Sequence, residues 1–419
     1  MNLLRLVLGE MPPSAYPSPA PRVRGIYGGS LWIDADMQGL QWPYFPGTGI
    51  GFSGYGWVDT GLRYYHAGER TGTSPGLGTT NNEGRQFVQQ SRFLLRTTPT
   101  WTDPRSQFFV QMQVELVGAQ INTAQSAVVW SADDAWIKFG KWKLFDVLLG
   151  RFQAWEVYHY GMGLDLYTLE RTGANDASAG PVAVPQIYGL TYMYQRQDVL
   201  GQGAVHLYPA DWLRFEIGFQ YGAGTNGLNT DGIRPVGIAE FGPLRIKAGA
   251  EFLESRPQTL GSGNTNYAAT QSQGFGGAIQ LVLDPYVEFG VNAAYALNDT
   301  RSADGTLTAT GTDETWSAGG FANVRIWRDL LFGTGLNYTY WVDQAFDPTV
   351  GRNDHADQWQ PYCALQYLFF RQPPSSPSPG LFAKFVFAYA RADMDPTPMI
   401  ANAFKNEMFS GRLRLEYLF

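Results

Sequence analysis

Four histidines are the side chains in this sequence that most readily support acid and base chemistry. They are His66, His159 and His355, which we expect in connections, and His206, which we expect in a strand. The run Asp354-His355-Ala356-Asp357 gives a base acidic neighbours, a pattern for general base catalysis or a weak metal site. Because no nucleophile can be assigned to this run, we interpret it as a solvated cluster and predict neither a catalytic residue nor a metal ligand.

Cysteine and charge exclude further classes of function. The single cysteine, Cys363, rules out an intramolecular disulfide and a multi-cysteine zinc site. We place it on the outer face of a strand beside Leu365 and Tyr367, as a small apolar residue. The formal net charge of -7 argues against a nucleic acid partner. No cofactor is predicted.

The elements that must position any site are strands, and residues 409–419 show this most clearly. One set of alternate positions is mainly apolar and holds Phe409, Gly411, Leu413, Leu415, Tyr417 and Phe419. The other set is largely polar and holds Ser410, Arg412, Arg414, Glu416 and Leu418. A period of two with unlike faces is typical of a β-strand.

The same alternation recurs along the chain and predicts seventeen strands. It is cleanest at residues 107–119, where Phe108, Val110, Met112, Val114 and Leu116 face outward and Gln107, Gln111, Gln113 and Glu115 face inward. An up-and-down bacterial barrel needs an even number of strands, so we expect sixteen or eighteen. One of the seventeen predicted strands must therefore be wrongly assigned. Two short connections follow one another between residues 153 and 208, so we expect the wrong assignment in this region, where we predict a strand at 186–196.

Composition and connection lengths favour a membrane barrel over a soluble sandwich. Only 16% of the residues are charged and no apolar run reaches the length of a transmembrane helix, whereas a barrel spans a bilayer with alternating residues. Along the second half of the chain, tight turns, as at residues 209–211 and 242–243, alternate with long polar connections, as at 255–274 and 342–358. The exception is 371–380, a Pro- and Ser-rich connection of intermediate length on the tight-turn side. Tryptophans lie near both kinds of connection, as interfacial residues should.

The terminal strand resembles the C-terminal strand of bacterial outer-membrane barrels, in which the final residues, here Tyr417 and Phe419, act as an assembly signal. The architecture over residues 51–419 is similar to that of porins, of the general-diffusion or phosphate-selective type. This resemblance implies an all-β transmembrane antiparallel barrel of 16 or 18 strands in the bacterial outer membrane, with short periplasmic turns and long extracellular loops. Its partners would be membrane lipid, the barrel-assembly machinery and small hydrophilic solutes.

A porin also implies a constriction, because a long loop after an early hairpin folds into the channel in that family. Residues 153–185 occupy the matching place. The charged residues that would form the constriction are Arg151, Glu156, Asp165, Glu170 and Arg171 of this region and Arg92, Arg96, Arg412 and Arg414 of the wall. Opposed charges would filter permeants by sign. The alternative is that the carboxylates are solvated and the arginines pair with wall residues such as Glu115 or Glu416.

Two further questions stay open from the sequence. Residues 1–24 are Pro-rich and are expected to be flexible, and residues 25–45 are either a first strand or a segment packed inside the barrel. The alternative function is a substrate-specific transporter or exporter of the phosphate or polysaccharide type, and an outer-membrane hydrolase is less favoured. Association into a trimer is a further expectation, for which residues 290–296 offer a flat surface.

Overall fold

The computed structural model describes residues 48–67, 82–120, 129–152, 154–155, 202–223, 228–257, 268–283, 286–302, 311–347, 352–371, 380–394 and 404–418. These residues form sixteen β-strands. The strands are β1 (Gly49–Ala67), β2 (Asn82–Thr102), β3 (Phe108–Gln120), β4 (Val129–Lys141), β5 (Phe145–Arg151), β6 (Gln202–Ala210), β7 (Leu213–Ala223), β8 (Leu228–Phe241), β9 (Leu244–Pro257), β10 (Ala268–Leu283), β11 (Val287–Ser302), β12 (Gly311–Trp327), β13 (Leu330–Asp347), β14 (Arg352–Arg371), β15 (Gly380–Met394) and β16 (Phe404–Leu418).

The sheet closes into a barrel in which each strand pairs with its sequence neighbours and β1 pairs antiparallel with β16. In the closing pair Trp57 lies opposite Glu416, and Gly61 lies opposite Arg412. Closure gives every strand a partner on both sides, so no edge is left with unpaired backbone groups. The predicted all-β antiparallel barrel is confirmed, with the lower of the two expected strand numbers.

Alternate residues divide the wall into an apolar outer face and a polar inner face. On β3 the predicted outward residues are all exposed, whereas Gln113 is buried and Glu115 is completely so. On β16 Phe409, Leu413, Leu415 and Tyr417 are exposed and the intervening polar residues are buried. An outer surface of large apolar side chains would be costly in water, and it matches the hydrocarbon of a bilayer.

The exposed tryptophans of β12 give the height of the apolar band. Trp327 lies at the turn end of the strand and Trp316 lies eleven residues before it. That spacing is roughly 36 Å along a strand, and a tilt of about 40° converts it to a height of about 28 Å, close to the band of ~25 Å expected for such barrels. Trp316 is in ring contact with Tyr338 and Tyr340, so aromatic residues of neighbouring strands extend this boundary.

Three tight turns lie at one end of the barrel, and long strands extend beyond the bilayer at the other. The turns of three hairpins occupy residues 142–144, 211–212 and 328–329, and Lys143 adopts a positive φ of 59° in the first. At the other end, β2 is 21 residues long and β14 is 20, more than the ~10 residues that a bilayer crossing needs. The strands therefore continue beyond the bilayer on the loop side. This is why the predicted loops, such as 342–358, are in large part strand.

The described residues contain no helix with the length and apolarity that a membrane crossing would require.

Several predictions need correction or lie outside the described residues. His66 lies in β1 and His355 in β14, so neither is in a connection as expected. Gln107 has a positive φ of 61° in the turn before β3 and does not begin that strand. The predicted strand 186–196 lies outside the described residues, and among the described strands β5 pairs directly with β6. Residues 1–24 and 25–45 and the position of His159 also lie outside the described residues.

Candidate functional site: the inner wall of the barrel

The inner wall is polar and its side chains are enclosed. Charged residues on β7, β9, β15 and β16 are among the most buried side chains of the molecule, with exposures of 0 to 1% for Arg214, Lys247, Lys384, Arg414 and Glu416. Buried charges need partners, because an unpaired charge away from water costs several kcal/mol. The partners lie on neighbouring strands, so the strand register decides which charges meet.

One sector of the wall, formed by β15, β16, β1 and β2, is rich in cations. Closure places Trp57 of β1 between Glu416 of β16 and Arg92 of β2. The guanidinium of Arg414 stacks over the Trp57 ring at 3.9 Å, and Nζ of Lys384 lies 3.0 Å from a carboxylate oxygen of Glu416. The last strand thus brings its arginines beside the first strands, as expected from closure.

The next strands add a second ion pair. Arg96 of β2 donates from Nε to Oε1 of Glu115 on β3 at 2.6 Å, and Gln113 donates to the same oxygen at 2.9 Å. Arg92 lies 5.8 Å from the centre of the Tyr55 ring. The wall arginines therefore combine carboxylate pairing with aromatic contact, which keeps the planar guanidinium groups fixed.

A second sector, formed by β5 to β9, contains a buried polar network centred on His206. Nδ1 of His206 lies 2.5 Å from Oδ1 of Asp146, and Nε2 lies 3.0 Å from Oε2 of Glu216. The imidazole can donate to both carboxylates only when both nitrogens carry a proton. Tyr208 donates to Asp146 at 2.7 Å, and Arg234 donates to Glu216 at 3.2 Å. Both ring nitrogens face carboxylates, so this histidine is a structural part of the inner wall.

The network anchors the chain that leaves β5. Trp155 stacks on His206 with the ring centres 4.6 Å apart and the planes 8° from parallel, and its backbone N–H donates to Glu216 at 3.0 Å. Gln202 donates to the carbonyl of Phe152 at 3.2 Å. Ala154 is buried and packs against Leu253 of β9. The first residues after β5 therefore lie inside the barrel, against the inner faces of β6, β7 and β9.

The structure places only some of the predicted constriction residues. The wall residues Arg92, Arg96, Arg412 and Arg414 lie on the inner face of β2 and β16. Arg151 is exposed at the end of β5, two residues after the exposed Leu149. Tyr417 is exposed on the outer face. The remaining predicted residues lie outside the described part of the chain, and these are Glu156, Asp165, Glu170, Arg171 and Phe419.

His355 has acidic neighbours in the sequence, but the histidine whose carboxylate partners the structure describes is His206. No acidic residue lies within three positions of His206 in the chain, and its partners Asp146 and Glu216 come from the neighbouring strands β5 and β7. The only indication of this site in the sequence was that His206 has an inward position in its strand and that the neighbouring strands have inward acidic residues. Within the described residues no group of three or more His, Cys, Asp or Glu side chains is arranged to hold a metal ion. Cys363 is exposed on the outer face of β14, as predicted.

A closed sixteen-stranded antiparallel barrel with an apolar exterior and a charged inner wall has the architecture of outer-membrane β-barrels. No protein-family model and no curated protein matches the sequence. Among solved structures, the chain is similar to the outer membrane channel DcaP of Acinetobacter baumannii, at 10% identity and a TM-score of 0.55 over 89% of this chain and 98% of that one. It is also similar to OmpT, an outer membrane protein of Vibrio cholerae, at 13% identity and a TM-score of 0.53 over 88% and 97%. At these identities the likeness concerns the fold.

Proposed function

We propose that this protein is a channel of the bacterial outer membrane through which small hydrophilic solutes or ions diffuse passively, without turnover chemistry. The observation that carries the proposal is the division of one closed wall into an apolar outer face and a charged inner face. Barrels of sixteen strands are wide enough for an aqueous path, whereas eight-stranded barrels are filled by side chains. The likeness in fold to an outer membrane channel supports the same conclusion.

The proposal includes a narrow region that selects by charge. Arginines of β2 and β16 form one side of it, and the chain that follows Trp155 supplies the other. Barrel-assembly machinery would insert the protein through its last strand, and association into a homotrimer is part of the proposal. Solutes would pass down their gradients.

Conductance of purified protein in planar bilayers tests the proposal. Folded protein should give stepwise increases in current, and the size of the steps should scale with salt concentration. The steps should be smaller in the presence of sugars that enter the channel than in the presence of sugars that are too large to enter it. Heat-denatured protein from the same preparation is the control and should give no steps. Absence of steps from protein that has a folded β-sheet by circular dichroism would contradict the proposal.

A further inference from the structure

A trench crosses the outer face of the barrel between β9 and β13. Its floor consists of small residues, Ala248, Gly277, Ala293 and Ala318, which lie directly opposite one another on β9, β10, β11 and β12. The three alanines are exposed, so this row faces outward. Tyr338 of β13 lies opposite Ala318 and closes the row. The outer surface is therefore lowest along this line of four small residues.

Large side chains border the trench on both sides. On the loop side, Phe275 and Trp316 lie two residues from the floor, with exposures of 44% and 41%. On the turn side, Ile246, Ile279 and Val291 form a row in which Ile279 pairs with both of the others. The groove over the floor and the turn-side wall has a volume of about 880 Å³. That volume lies within the ~300–1,000 Å³ of typical sites for small molecules.

The trench rises from the turn side of the barrel towards the loop side. Ala248 lies five residues after Pro243 of the β8–β9 turn, whereas Ala318 lies ten residues before Arg328 of the β12–β13 turn. A row that crosses tilted strands at right angles is itself inclined to the membrane. The β13 end of the trench is therefore its upper end, nearer to the loop-side surface of the bilayer.

The upper end of the trench lies at the aromatic boundary of the apolar band. Tyr338 is in ring contact with Trp316 and with Trp359, whose ring centres are 5.7 and 4.3 Å from its own. Clusters of Trp and Tyr at this level of a membrane protein lie among the lipid headgroups. A ligand in the trench would therefore have its polar end at this boundary and its apolar part between the walls.

Charges of both signs lie beside this upper end. The indole N–H of Trp359 donates to Asp357 at 3.1 Å, and Asp357 lies opposite Tyr340 of β13. Arg391 of β15 lies opposite Trp359. An ammonium group is attracted to a carboxylate and to aromatic faces, and a phosphate is attracted to arginine. The arrangement matches a zwitterionic phospholipid headgroup better than a purely anionic one.

The trench has the dimensions of one lipid hydrocarbon chain. From Ala248 to Ala318 the floor spans three strand spacings, roughly 14 Å. Half of a hydrocarbon core of ~30 Å, the depth that one leaflet occupies, is about 15 Å. None of the floor and wall residues is charged, so the trench offers a hydrocarbon chain dispersion contacts on three sides.

A second copy of the barrel fits the trench less well than a lipid does. Counted from wall to wall, four residues along each strand, the trench covers roughly 14 Å by 14 Å, about 200 Å². A stable protein interface buries about 800 Å² on each partner. Ile279 and Val291 are exposed by 50% and 59% and project beyond the floor, so they would hold another barrel wall away from it. A flexible chain can enter where a rigid wall cannot.

We propose that the trench binds one zwitterionic phospholipid of the loop-side leaflet. An acyl chain lies along Gly277, Ala293 and Ala318, and the headgroup lies beside Tyr338 and Asp357. The bound lipid exchanges more slowly than the lipids around the rest of the barrel, because protein contacts it on three sides. The site requires insertion into a membrane and does not depend on conduction, so it goes beyond the proposed function.

Photocrosslinking of the full-length protein in phosphatidylcholine vesicles tests the site. The vesicles contain a small fraction of phosphatidylcholine with a diazirine in its acyl chain, and peptide mass spectrometry identifies the labelled residues. Labelling of Ile279 and Val291 should exceed that of Leu413 about fivefold, because the chain in the trench exchanges slowly. Leu413 is the reference because it is an outward residue of β16 with a similar exposure, 48% against 50% for Ile279. Equal labelling of these residues would overturn the proposal.

Filling the floor tests whether the trench causes the labelling. Ala293→Phe with Ala318→Phe should reduce labelling of Ile279 to the level of Leu413, because the added rings occupy the place of the chain. Ala383→Phe is the matched control on the outer face of β15 and should leave the labelling unchanged. If the double variant lacks the β-sheet signal in circular dichroism, Ile279→Ala with Val291→Ala removes the turn-side wall instead and should reduce labelling of the floor. Unchanged labelling in a folded variant would overturn the proposal.

Two further arms identify the occupant. A phosphatidylglycerol probe should label the trench less than the phosphatidylcholine probe, and Asp357→Asn should reduce this difference. Equal labelling by both probes in native protein would overturn the zwitterionic headgroup. In a Cys363→Ser background, disulfide formation between two copies of Ala293→Cys would assign the trench to a second copy and overturn the lipid. Conductance decides the proposed function separately, because a barrel that is labelled as expected and does not conduct would contradict only that function.

Discussion

The guanidinium carbon of Arg414 lies 3.9 Å from the centre of the Trp57 ring, and the two residues belong to the last and the first strand of the barrel. At this distance the planar cation rests on the ring face. Both side chains are buried, with exposures of 1% and 6%. The ends of the folded sheet are therefore joined by a side-chain stack in addition to the backbone hydrogen bonds.

Replacing Arg414 by Ala should destabilise the barrel by about 1 to 2 kcal/mol, because a desolvated cation–π contact is lost. Arg414→Lys is the control, because it keeps the charge and loses the planar stack. Its stability should lie between that of the native protein and that of the Ala variant. Urea unfolding from liposomes, followed by tryptophan fluorescence, measures the change. An unchanged midpoint for Arg414→Ala would show that the stack contributes no stability.

The pair of Lys384 and Glu416 should show the behaviour of a buried ion pair. Their charged atoms are 3.0 Å apart and both side chains have 0% exposure. Lys384→Met should cost about 3 to 5 kcal/mol, because it leaves a carboxylate buried without this partner. The double variant Lys384→Met with Glu416→Leu should recover at least half of that loss. If the double variant is as unstable as the sum of the two single variants, the pair is not coupled.

Glu216 should control the order of the segment that enters the barrel after β5. Its carboxylate accepts the backbone N–H of Trp155 and faces His206. Glu216→Gln removes the charge from this acceptor and should increase amide hydrogen exchange at Trp155 about tenfold. Asp211→Asn is the control, because it neutralises an exposed carboxylate at the β6–β7 turn. Equal protection of Trp155 in the native and Glu216→Gln proteins would exclude this anchor.

Charge selectivity should respond in opposite directions to two substitutions if the proposed constriction exists. Arg92→Ala removes a wall cation and should lower the permeability of anions relative to cations, and Glu170→Ala should raise it. Reversal potentials in a salt gradient measure both changes. Arg105→Ala, at an exposed position in the β2–β3 turn, should have no effect. Unchanged selectivity in both test variants would remove the constriction.

The Asp103 carboxyl, in the β2–β3 turn, should make a small contribution to the stability of the folded protein that is lost at acidic pH. The Ser106 hydroxyl, which donates to Oδ2 at 2.5 Å, and the backbone N–H of Arg105 lower the pKa of Asp103 below its ordinary value. A depressed pKa in the folded state gives stability that is present above the ordinary pKa of about 3.9 and lost as pH falls through the lower folded value. Asp103→Ala should therefore lose less stability on acidification than the native protein, as measured by thermal unfolding at pH 5 and pH 2. A carboxyl titration by NMR at the ordinary value would contradict this.

The sequence predicts the wall of the barrel well because each wall position is decided by lipid on one side. Outward residues such as Met112 and Leu413 must be apolar within the bilayer, so a period of two marks them. The same rule fails on the loop side, where both faces of a strand meet water. His355 lies in β14, yet its polar surroundings gave no alternation from which a strand could be predicted.

The charge network inside the barrel was beyond prediction for a different reason. His206 meets Asp146 and Glu216 only because β5, β6 and β7 pair with one particular register. A shift by one residue would turn each side chain to the opposite face, and a shift by two would change its partners. The sequence identifies inward charges such as Arg96 and Glu115, but their pairing follows from registers that tight turns fix only approximately.

The pairing of β1 with β16 also sets an order of events for biogenesis. One edge of β1 stays unpaired until β16 has been synthesised and reaches it, because β16 is the strand that pairs with that edge in the closed barrel. Until then the unpaired edge of the incomplete sheet can pair with strands of other unfolded chains. That unpaired edge has to be shielded until closure, and the time for which it stays unpaired grows with every residue between Gly49 and Leu418.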